Sequence, residues 1–316
     1  MKLKISPDLG VLKMYATGDE VSRIAINNFA QELFVGELKN PLLLTDIVKI
    51  AKLPSVRRDA IMKLYEFPDR TVEYDGVDVH WSPILYPNVW SPSIDTVLFA
   101  KAIRGQLVKT KLLKRINNFL EIGTGSGFLS KYILQKRKEL GGKIAIAHLT
   151  DINKDAIKCA MDNIEPVRDG TLIYYTHTQP DAHLRVERKY DLVVANPPYI
   201  PRPNARKNNP YEGLLLYEEM IRNAPKMLHP KSVFITILSS LSKSFIKPEL
   251  DKVFRLRVAA HLRVPLKIPV ITAGLSRQSR KWVAYLKAQK LVEEDKSGRS
   301  GYRYWHTIEV VIGKLK

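Results

Sequence analysis

The chain has 316 residues, 45% of them hydrophobic, and 51 lysines and arginines stand against 32 acidic residues. This composition supplies apolar surface for a sizeable core and excludes wholesale disorder. The net charge of +19 predicts a polyanionic partner, most often nucleic acid, although a generally basic protein would show the same excess.

The basic excess is uneven along the chain. Residues 243–316 hold 17 basic and 6 acidic side chains, a net of +11 out of the total of +19. We therefore expect a localised basic surface formed by this part of the chain.

The sequence also limits the compartment and the kinds of site. The amino-terminal stretch lacks the apolar core of a signal peptide, and no stretch approaches the roughly 18 apolar residues of a membrane-spanning helix. Cys159 is the single cysteine of the sequence and cannot form an internal disulfide. We expect a cytoplasmic monomer with no membrane partner and, because the seven histidines show no metal-ligand spacing, no metal.

Residues 1–85 form the first predicted unit. Apolar residues at helical spacing predict helices over 21–34, 45–53 and 55–67. Alternation around Asp75-Gly76 predicts a β-hairpin over 71–81. We expect a mainly helical domain, which fits either a small RNA-binding unit or a structural cap over the next domain.

Residues 86–316 form the second predicted unit, in which strands and helices alternate up to residue 240. The predicted strands are 116–123, 143–151, 170–178, 190–195 and 232–240, and the predicted helices are 93–107, 127–140, 155–164 and 216–228. This alternation predicts an α/β fold with a parallel sheet and helices on both faces. The basic elements within 243–305 include a predicted helix over 277–292, and a hairpin over 293–313 could complete the sheet.

Two polar features follow the first two strands of this alternation. Gly123, Gly125 and Gly127 lie between a strand and a helix, where glycines let the backbone turn and approach a ligand closely. Their spacing differs from the dinucleotide and phosphate-loop patterns, which argues against a pyrophosphate ligand. Asp151 ends the next strand and can accept hydrogen bonds from ribose hydroxyls, or it merely caps the helix beginning near Lys154.

A third polar feature ends the buried strand YDLVVA. Asn196-Pro197-Pro198-Tyr199 stops the strand, because prolines cannot donate to its hydrogen-bond ladder. Ligands of open α/β sheets bind at the carboxyl ends of the strands. We call residues 123–127 the glycine loop and Asn196–Tyr199 the elbow. We expect the glycine loop, Asp151 and the elbow to form one site.

The order LEIGTGSG, LTDIN and VVANPPY resembles the class I S-adenosylmethionine-dependent methyltransferases, in the group whose fourth strand ends in Asn-Pro-Pro-Tyr. The resemblance covers about residues 90–240. It implies a Rossmann-like seven-stranded sheet, to which this chain adds the amino-terminal domain and a basic carboxyl-terminal helix-hairpin insertion. It also implies an N-methyltransferase with S-adenosylmethionine as cofactor. The cofactor-binding residues that it implies are Glu121, Gly123, Gly125, Gly127, Asp151, Ile152, Thr96 with Asp95, and either Gln179 or Asp181.

The elbow suits methylation of a planar amine, whose delocalised lone pair makes it a poor nucleophile. Hydrogen bonds accepted from its N–H groups push the amine towards a tetrahedral geometry and free that lone pair. The side-chain oxygen of Asn196 and the carbonyl of Pro197 can be the two acceptors, and the ring of Tyr199 offers a flat face for stacking. We expect these three residues to be catalytic.

Several acceptors stay open within this group. The layout resembles archaeal enzymes that methylate the cytidine amine in small-subunit (16S) ribosomal RNA, and we predict this target with RNA as partner. The stretch NPYEGLLLYEEMIRNAPKML resembles the glutamine methyltransferases of release factors. An adenine-specific RNA or DNA enzyme and a non-enzymatic RNA-binding assembly factor are further alternatives. The RNA contacts that we predict are Arg202, Arg206, Lys207, Arg299 and Arg303.

Overall fold

The computed structural model describes residues 10–16, 19–26, 70–82, 84–87, 89–90, 92, 94–178, 188–201, 214–265, 277–294 and 304–316. A small antiparallel sheet has the order β2-β1-β3-β4. Its strands are β1 (Gly10–Ala16), β2 (Asp19–Ile26), β3 (Arg70–Tyr74) and β4 (Val77–Trp81). The predicted hairpin around Asp75-Gly76 is confirmed, because β3 and β4 pair directly and both turn residues adopt positive φ.

The predicted helix over 21–34 is wrong where the structure describes it, because residues 21–26 belong to β2. Strand β1 pairs with β2 over its whole length, with Leu12 opposite Ile24, and satisfies the backbone groups that a helix would satisfy locally. Short apolar runs do not distinguish helix from strand without their partner. Residues 27–34 and the predicted helices 45–53 and 55–67 lie outside the described residues, and the division at residue 85 stays a prediction.

The second sheet carries the remaining strands. They are β5 (Asn118–Ile122), β6 (Ile146–Asp151), β7 (Leu172–His177), β8 (Tyr190–Ala195), β9 (Leu228–Ser239), β10 (Phe254–Pro265), β11 (Glu293–Glu294) and β12 (Tyr304–Leu315). The helices of the described chain are α1 (Ile94–Ile103), α2 (Phe128–Glu139), α3 (Lys154–Ile164), α4 (Leu215–Met227), α5 (Lys243–Val253) and α6 (Arg277–Ala288). No described helix has the length and apolar character needed to span a membrane.

The main path of this sheet has seven strands in the order β10-β12-β9-β8-β5-β6-β7, and β11 pairs beside β12. Strands β5 to β9 are parallel to one another, whereas β12 runs antiparallel to both β9 and β10. The predicted Rossmann-like seven-stranded α/β fold is confirmed, including a last strand that completes the sheet. Strand β10 and helix α5 were not among the predicted elements.

Side chains alternate across β5 and reach two cores. Phe119 joins a buried cluster with residues of α1, α2 and α3, whereas Leu120 joins a cluster with residues of α4 and α5. Glu121 therefore lies on the α2–α3 side of the sheet. This layering leaves the carboxyl ends of the central strands free to form a site.

The β3–β4 hairpin contacts helix α2. The Asp75 carboxylate accepts a hydrogen bond of 2.6 Å from the Tyr132 hydroxyl, and the Asp75 carbonyl accepts one of 2.9 Å from Lys136 Nζ. Lys131 Nζ lies 3.2 Å from Asp78 Oδ1. The amino-terminal sheet is thereby attached to the helix that follows the glycine loop.

Candidate active site

The three polar features predicted from the sequence meet at one edge of the main sheet. Parallel pairing sets Ile122 beside both Thr150 and Ala195. The residues that follow these three positions are the glycine loop, Asp151 and Asn196. The expected convergence of the three strand ends is therefore present.

The first half of the glycine loop borders open space. The backbone N–H groups of Gly123 and Thr124 both donate to the carbonyl of Thr150, at 2.9 and 3.0 Å. Gly123 and Gly125 adopt φ of +73° and +53°, and a methyl group added at either would meet no atom within 4 Å. The loop is thus a cradle whose bare backbone can approach a ligand.

Gly127 has a different role from the other two glycines. It precedes α2 with φ of +79°, and a Cβ there would lie 2.9 Å from Ala160 Cα and 3.1 Å from Ile164 Cδ1. Its missing side chain lets α2 approach α3. Gly127 therefore supports the loop through helix packing.

Glu121 lies beneath the loop and is almost completely buried. Its Oε2 accepts hydrogen bonds from the hydroxyls of Thr124, at 3.0 Å, and Ser130. Burial raises the pKa of this carboxyl to about 7, although the hydroxyl hydrogen bonds act in the opposite direction. The carboxyl ties the loop to the start of α2.

Asp151 fastens the middle of the loop. Its Oδ2 accepts a hydrogen bond of 3.0 Å from the N–H of Gly125, and its Oδ1 accepts one of 2.9 Å from the N–H of Asn153. Burial raises the pKa of Asp151, while these backbone hydrogen bonds lower it. Asn153, and not Asp151, caps α3, since its side chain accepts from the N–H of Asp155 at 3.0 Å.

The carboxylate of Asp151 keeps acceptor capacity beyond those two hydrogen bonds, because each oxygen has two lone pairs. Ile152 follows it, half-buried, and its carbonyl lies 3.0 Å from His177 Nε2. The alternatives Gln179 and Asp181 lie outside the described residues. Open space beside the two glycines and a nearby carboxylate suit a ligand with an amino-acid part and a ribose.

Asn196 contacts Asp95 at the start of helix α1. Its Nδ2 donates to Asp95 Oδ2 at 3.1 Å, and Asp95 Oδ1 accepts from the N–H of Thr96 at 2.9 Å. Asn196 Oδ1 is buried and has no hydrogen-bond partner among the described residues. The elbow thus presents one acceptor oxygen that no described residue pairs with.

Tyr199, three residues after Asn196, is half-buried and packs against both hydrophobic clusters of the main sheet. Its ring centroid is 6.1 Å from that of His306, whose Nδ1 lies 2.9 Å from Ser239 Oγ. Burial, and then the Asp95 carboxylate, raise the pKa of the Tyr199 phenol well above its ordinary value. The phenol therefore stays neutral at physiological pH.

The carboxyl-terminal helix and hairpin border the elbow. Ile200 packs with Leu286 of α6 in one apolar cluster. The guanidinium of Arg263 lies 4.4 Å from the Trp305 ring centroid, and its Nε lies 2.8 Å from Glu293 Oε2. Trp305 itself is buried, so this contact ties Arg263 and Glu293 to the packed side of the hairpin.

The described part of the chain does not include the predicted RNA-binding residues. Arg202, Arg206, Lys207, Arg299 and Arg303 all lie outside the described residues. Within the described part of the chain, no group of three or more potential ligand side chains could hold a metal ion.

Sequence reasoning did not predict the Asp95–Asn196 contact or the position of His306. Asp95 was expected at the cofactor, and 101 positions separate it from Asn196, so no local pattern could have joined them. The sequence predicts His306 only as part of the hairpin over 293–313. Strand β12 brings it beside Tyr199 by pairing next to β9.

Asn163 links the glycine loop to the amino-terminal sheet. Its Oδ1 accepts from the N–H of His80 at 2.7 Å, and its Nδ2 donates to the carbonyls of His80 and Ser126 at 2.9 and 3.0 Å. Ser126 lies in the glycine loop, and His80 lies in strand β4. One buried amide therefore holds the loop, α3 and β4 together.

Comparisons with known proteins agree with this geometry. Residues 103–260 match the family model described as the methyltransferase small domain. A candidate protein N5-glutamine methyltransferase of Methanocaldococcus jannaschii is 26% identical over 209 residues, which cover 62% of this chain and 94% of that protein. A tRNA1(Val) (adenine(37)-N6)-methyltransferase of Phocaeicola vulgatus is 29% identical over 133 residues, covering 40% of this chain and 53% of that enzyme.

Among solved structures, a 16S rRNA N2 G1207 methyltransferase of T. thermophilus, in complex with AdoMet and guanosine, aligns with a TM-score of 0.44 at 12% identity. The alignment covers 78% of this chain and 50% of that one. A likeness at this level carries no argument about activity.

Proposed function

Because the chain belongs to the methyltransferase small domain family, we propose that it methylates the exocyclic amine of a base in RNA, with the 4-amino group of cytidine in small-subunit (16S) ribosomal RNA as the target. The family membership makes the chain an S-adenosylmethionine-dependent N-methyltransferase. The identity of the acceptor is the part that we propose.

The buried Asn196 oxygen, which has no hydrogen-bond partner in the described part of the chain, carries this proposal. Leaving a buried acceptor without a partner costs about 1–3 kcal/mol, so such an atom is expected where a ligand supplies the missing donor. An amine supplies N–H donors. An acceptor amine in the site would therefore pair with Asn196 Oδ1 before the reaction begins.

The elbow residues then prepare the amine for attack. Asn196 Oδ1 accepts one N–H and the carbonyl of Pro197 accepts the other, which localises the nitrogen lone pair. The neutral ring of Tyr199 stacks on the base and holds its plane. S-adenosylmethionine, when bound, would supply the methyl group from its sulfonium and leave as the thioether S-adenosylhomocysteine, and the methylated nitrogen would lose one proton to solvent. The residues thus contribute positioning and electrostatic preorganisation.

The cofactor would be held by the cradle and by Asp151. The open space beside Gly123 and Gly125 fits its methionine part, and the remaining lone pairs of Asp151 fit its ribose hydroxyls. Ile152 would flank the adenine. Glu121 and Gly127 would act indirectly, because they support the loop from below and from α3.

Charge favours RNA over a protein acceptor. The chain carries a net charge of +19, of which residues 243–316 supply +11, and such an excess suits the phosphates of a nucleic acid. The similar enzyme of Phocaeicola vulgatus is named for tRNA, which supports a nucleic-acid acceptor. The relative from Methanocaldococcus jannaschii is named for protein glutamine, so a release-factor glutamine is the second candidate.

The direct test of this mechanism is Asn196→Ala. We expect turnover on unmodified small-subunit ribosomal RNA to fall by about 10²–10³-fold, since an acceptor that acts on the transition state is lost. The dissociation constant for S-adenosylmethionine, measured by calorimetry, should stay unchanged. Asn223→Ala in α4 is the matched control and should keep normal turnover. Ordinary turnover in Asn196→Ala would refute the proposed mechanism.

A further inference from the structure

We propose that Asp95 is a positioning residue for methyl transfer, because it fixes the Asn196 amide with its oxygen, and not its nitrogen, towards the acceptor amine. This inference rests on the proposed function. It assigns Asp95 to the acceptor side of the site, whereas the sequence predicted a cofactor contact.

The argument begins with the ambiguity of an asparagine side chain. Its oxygen and its NH2 group are nearly equal in size, and a half-turn about the last side-chain bond exchanges them. Only one orientation can serve an amine acceptor, since the reversed amide would set N–H donors against N–H donors. Something must select the productive orientation before the acceptor binds.

Asp95 supplies this selection. An ionised carboxylate only accepts hydrogen bonds, and Asp95 Oδ2 lies 3.1 Å from Asn196 Nδ2. The reversed amide would place Asn196 Oδ1 against this carboxylate, which is electrostatically unfavourable. The free Oδ1 of Asn196 and the Asp95 contact are therefore two consequences of one orientation.

Asp95 is itself held in place. Its other oxygen accepts from the N–H of Thr96 at 2.9 Å, and the first turn of a helix favours a negative charge. The next residues of α1, Val97, Leu98 and Phe99, are fully buried and anchor the helix in the core. The carboxylate thus has a fixed position from which to orient the amide.

The same carboxylate also faces Tyr199, where it contributes to the raised pKa of the phenol. Asp95 therefore acts on both elbow residues, through a hydrogen bond to Asn196 and electrostatically on Tyr199. This arrangement agrees with a role in preparing the acceptor site.

The test is Asp95→Asn, which keeps the size of the side chain. Its oxygen can keep the hydrogen bond from the Thr96 N–H, so its NH2 group would face Asn196 and favour the reversed amide. We expect kcat on ribosomal RNA to fall about 10–100-fold, with the KM for RNA and the dissociation constant for S-adenosylmethionine unchanged. Unchanged cofactor affinity also shows that the variant is folded. Asp251→Asn in α5, whose carboxylate pairs with Lys247, is the matched control and should leave kcat unchanged.

A double-variant cycle separates positioning from other roles, with single-turnover assays to measure the low activity. If Asp95 acts through the amide, adding Asp95→Asn to Asn196→Ala should cause no further loss. A full second loss, or a weakened affinity for S-adenosylmethionine, would overturn the inference. So would normal kcat in Asp95→Asn while Asn196→Ala is inactive. Normal turnover in Asn196→Ala would instead overturn the proposed function, and this inference with it.

The variant Asp95→Ser gives a second reading if Asp95→Asn does not fold. Serine keeps a polar oxygen in the first turn of α1, but its hydroxyl is both donor and acceptor and is shorter than the carboxylate. The same selective loss of kcat is expected. Normal kcat in a folded Asp95→Ser protein would contradict the inference.

Discussion

At the scale of single residues, three polar side chains at neighbouring strand ends have separate tasks. Glu121 binds the hydroxyls of the glycine loop from below, Asp151 binds a loop amide, and Asn196 keeps one oxygen unpaired. Each task follows from where the strand ends and from the hydrogen bonds already made. Glu121 is the most deeply buried of the three, so its role can be tested through the stability of the protein, without a substrate.

We predict that Glu121 makes stability depend on pH. Burial raises its pKa from 4.5 to about 7, so between these values the folded protein binds more protons than the unfolded chain. Stability should therefore fall as pH rises through this window, by up to about 3 kcal/mol from this group. Glu121→Gln cannot ionise and should flatten the decline.

The measurement is urea unfolding of the cofactor-free protein between pH 5 and about 8. Glu249→Gln, an exposed change in α5, is the control and should follow the wild-type pH profile. Parallel profiles for wild type and Glu121→Gln would show that Glu121 ionises normally in the folded protein.

At the scale of elements, α2, α3 and β4 support the glycine loop from behind. Gly127 permits close packing of α2 on α3, and Asn163 joins α3 to both the loop and β4. Two predictions distinguish Gly127 and Asn163, which support the loop, from Gly123, which borders open space.

The first compares Gly127→Ala with Gly123→Ala. Both positions have positive φ, which should cost either variant about 1–3 kcal/mol of stability. Gly127→Ala should lose more, because its Cβ would also clash with Ala160. Gly123→Ala should instead weaken S-adenosylmethionine binding more than stability. Denaturant unfolding and calorimetry measure the two quantities, and equal stability losses would contradict the assignment.

The second concerns Asn163→Asp, which keeps the acceptor for the His80 N–H but removes the donor to the two carbonyls. We expect weaker S-adenosylmethionine binding and a stability loss of about 1–3 kcal/mol, because buried carbonyls lose their partner. Asn223→Asp in α4 is the matched control. If both variants bind the cofactor like wild type, Asn163 does not support the loop.

The elements also show what the sequence can and cannot predict. Strands β5, β6, β7, β8 and β9 were predicted because each is an apolar run bounded by turn residues, and the order of their polar ends predicted the site. Strand β10 was not predicted, although the alternation in FRLRVAAHLRVP is itself a strand pattern, because the region after residue 240 was interpreted mainly by its basic charge. Contacts between distant positions, such as Asp95 with Asn196, depend on tertiary pairing and had no local signal.

At the scale of the whole molecule, the basic charge and the elbow have to act on one acceptor. The net charge of +19 should attract a phosphate backbone, whereas in the proposed mechanism the Asn196 oxygen, unpaired among the described residues, binds an accessible amine. An amine that is stacked and paired cannot reach a buried methyl donor. An unpaired or extruded base in structured RNA satisfies both requirements.

The most direct test of this account offers tritiated S-adenosylmethionine to the protein with unmodified small-subunit ribosomal RNA, DNA and a release factor in parallel. We predict label in the RNA, recovered as 4-amino-methylated cytidine after digestion, and no label with Asn196→Ala. RNA affinity should fall steeply with salt, with log K changing by roughly 0.7–0.9 for each neutralised phosphate per tenfold rise in salt. Label confined to a release-factor glutamine, with RNA affinity insensitive to salt, would contradict the account.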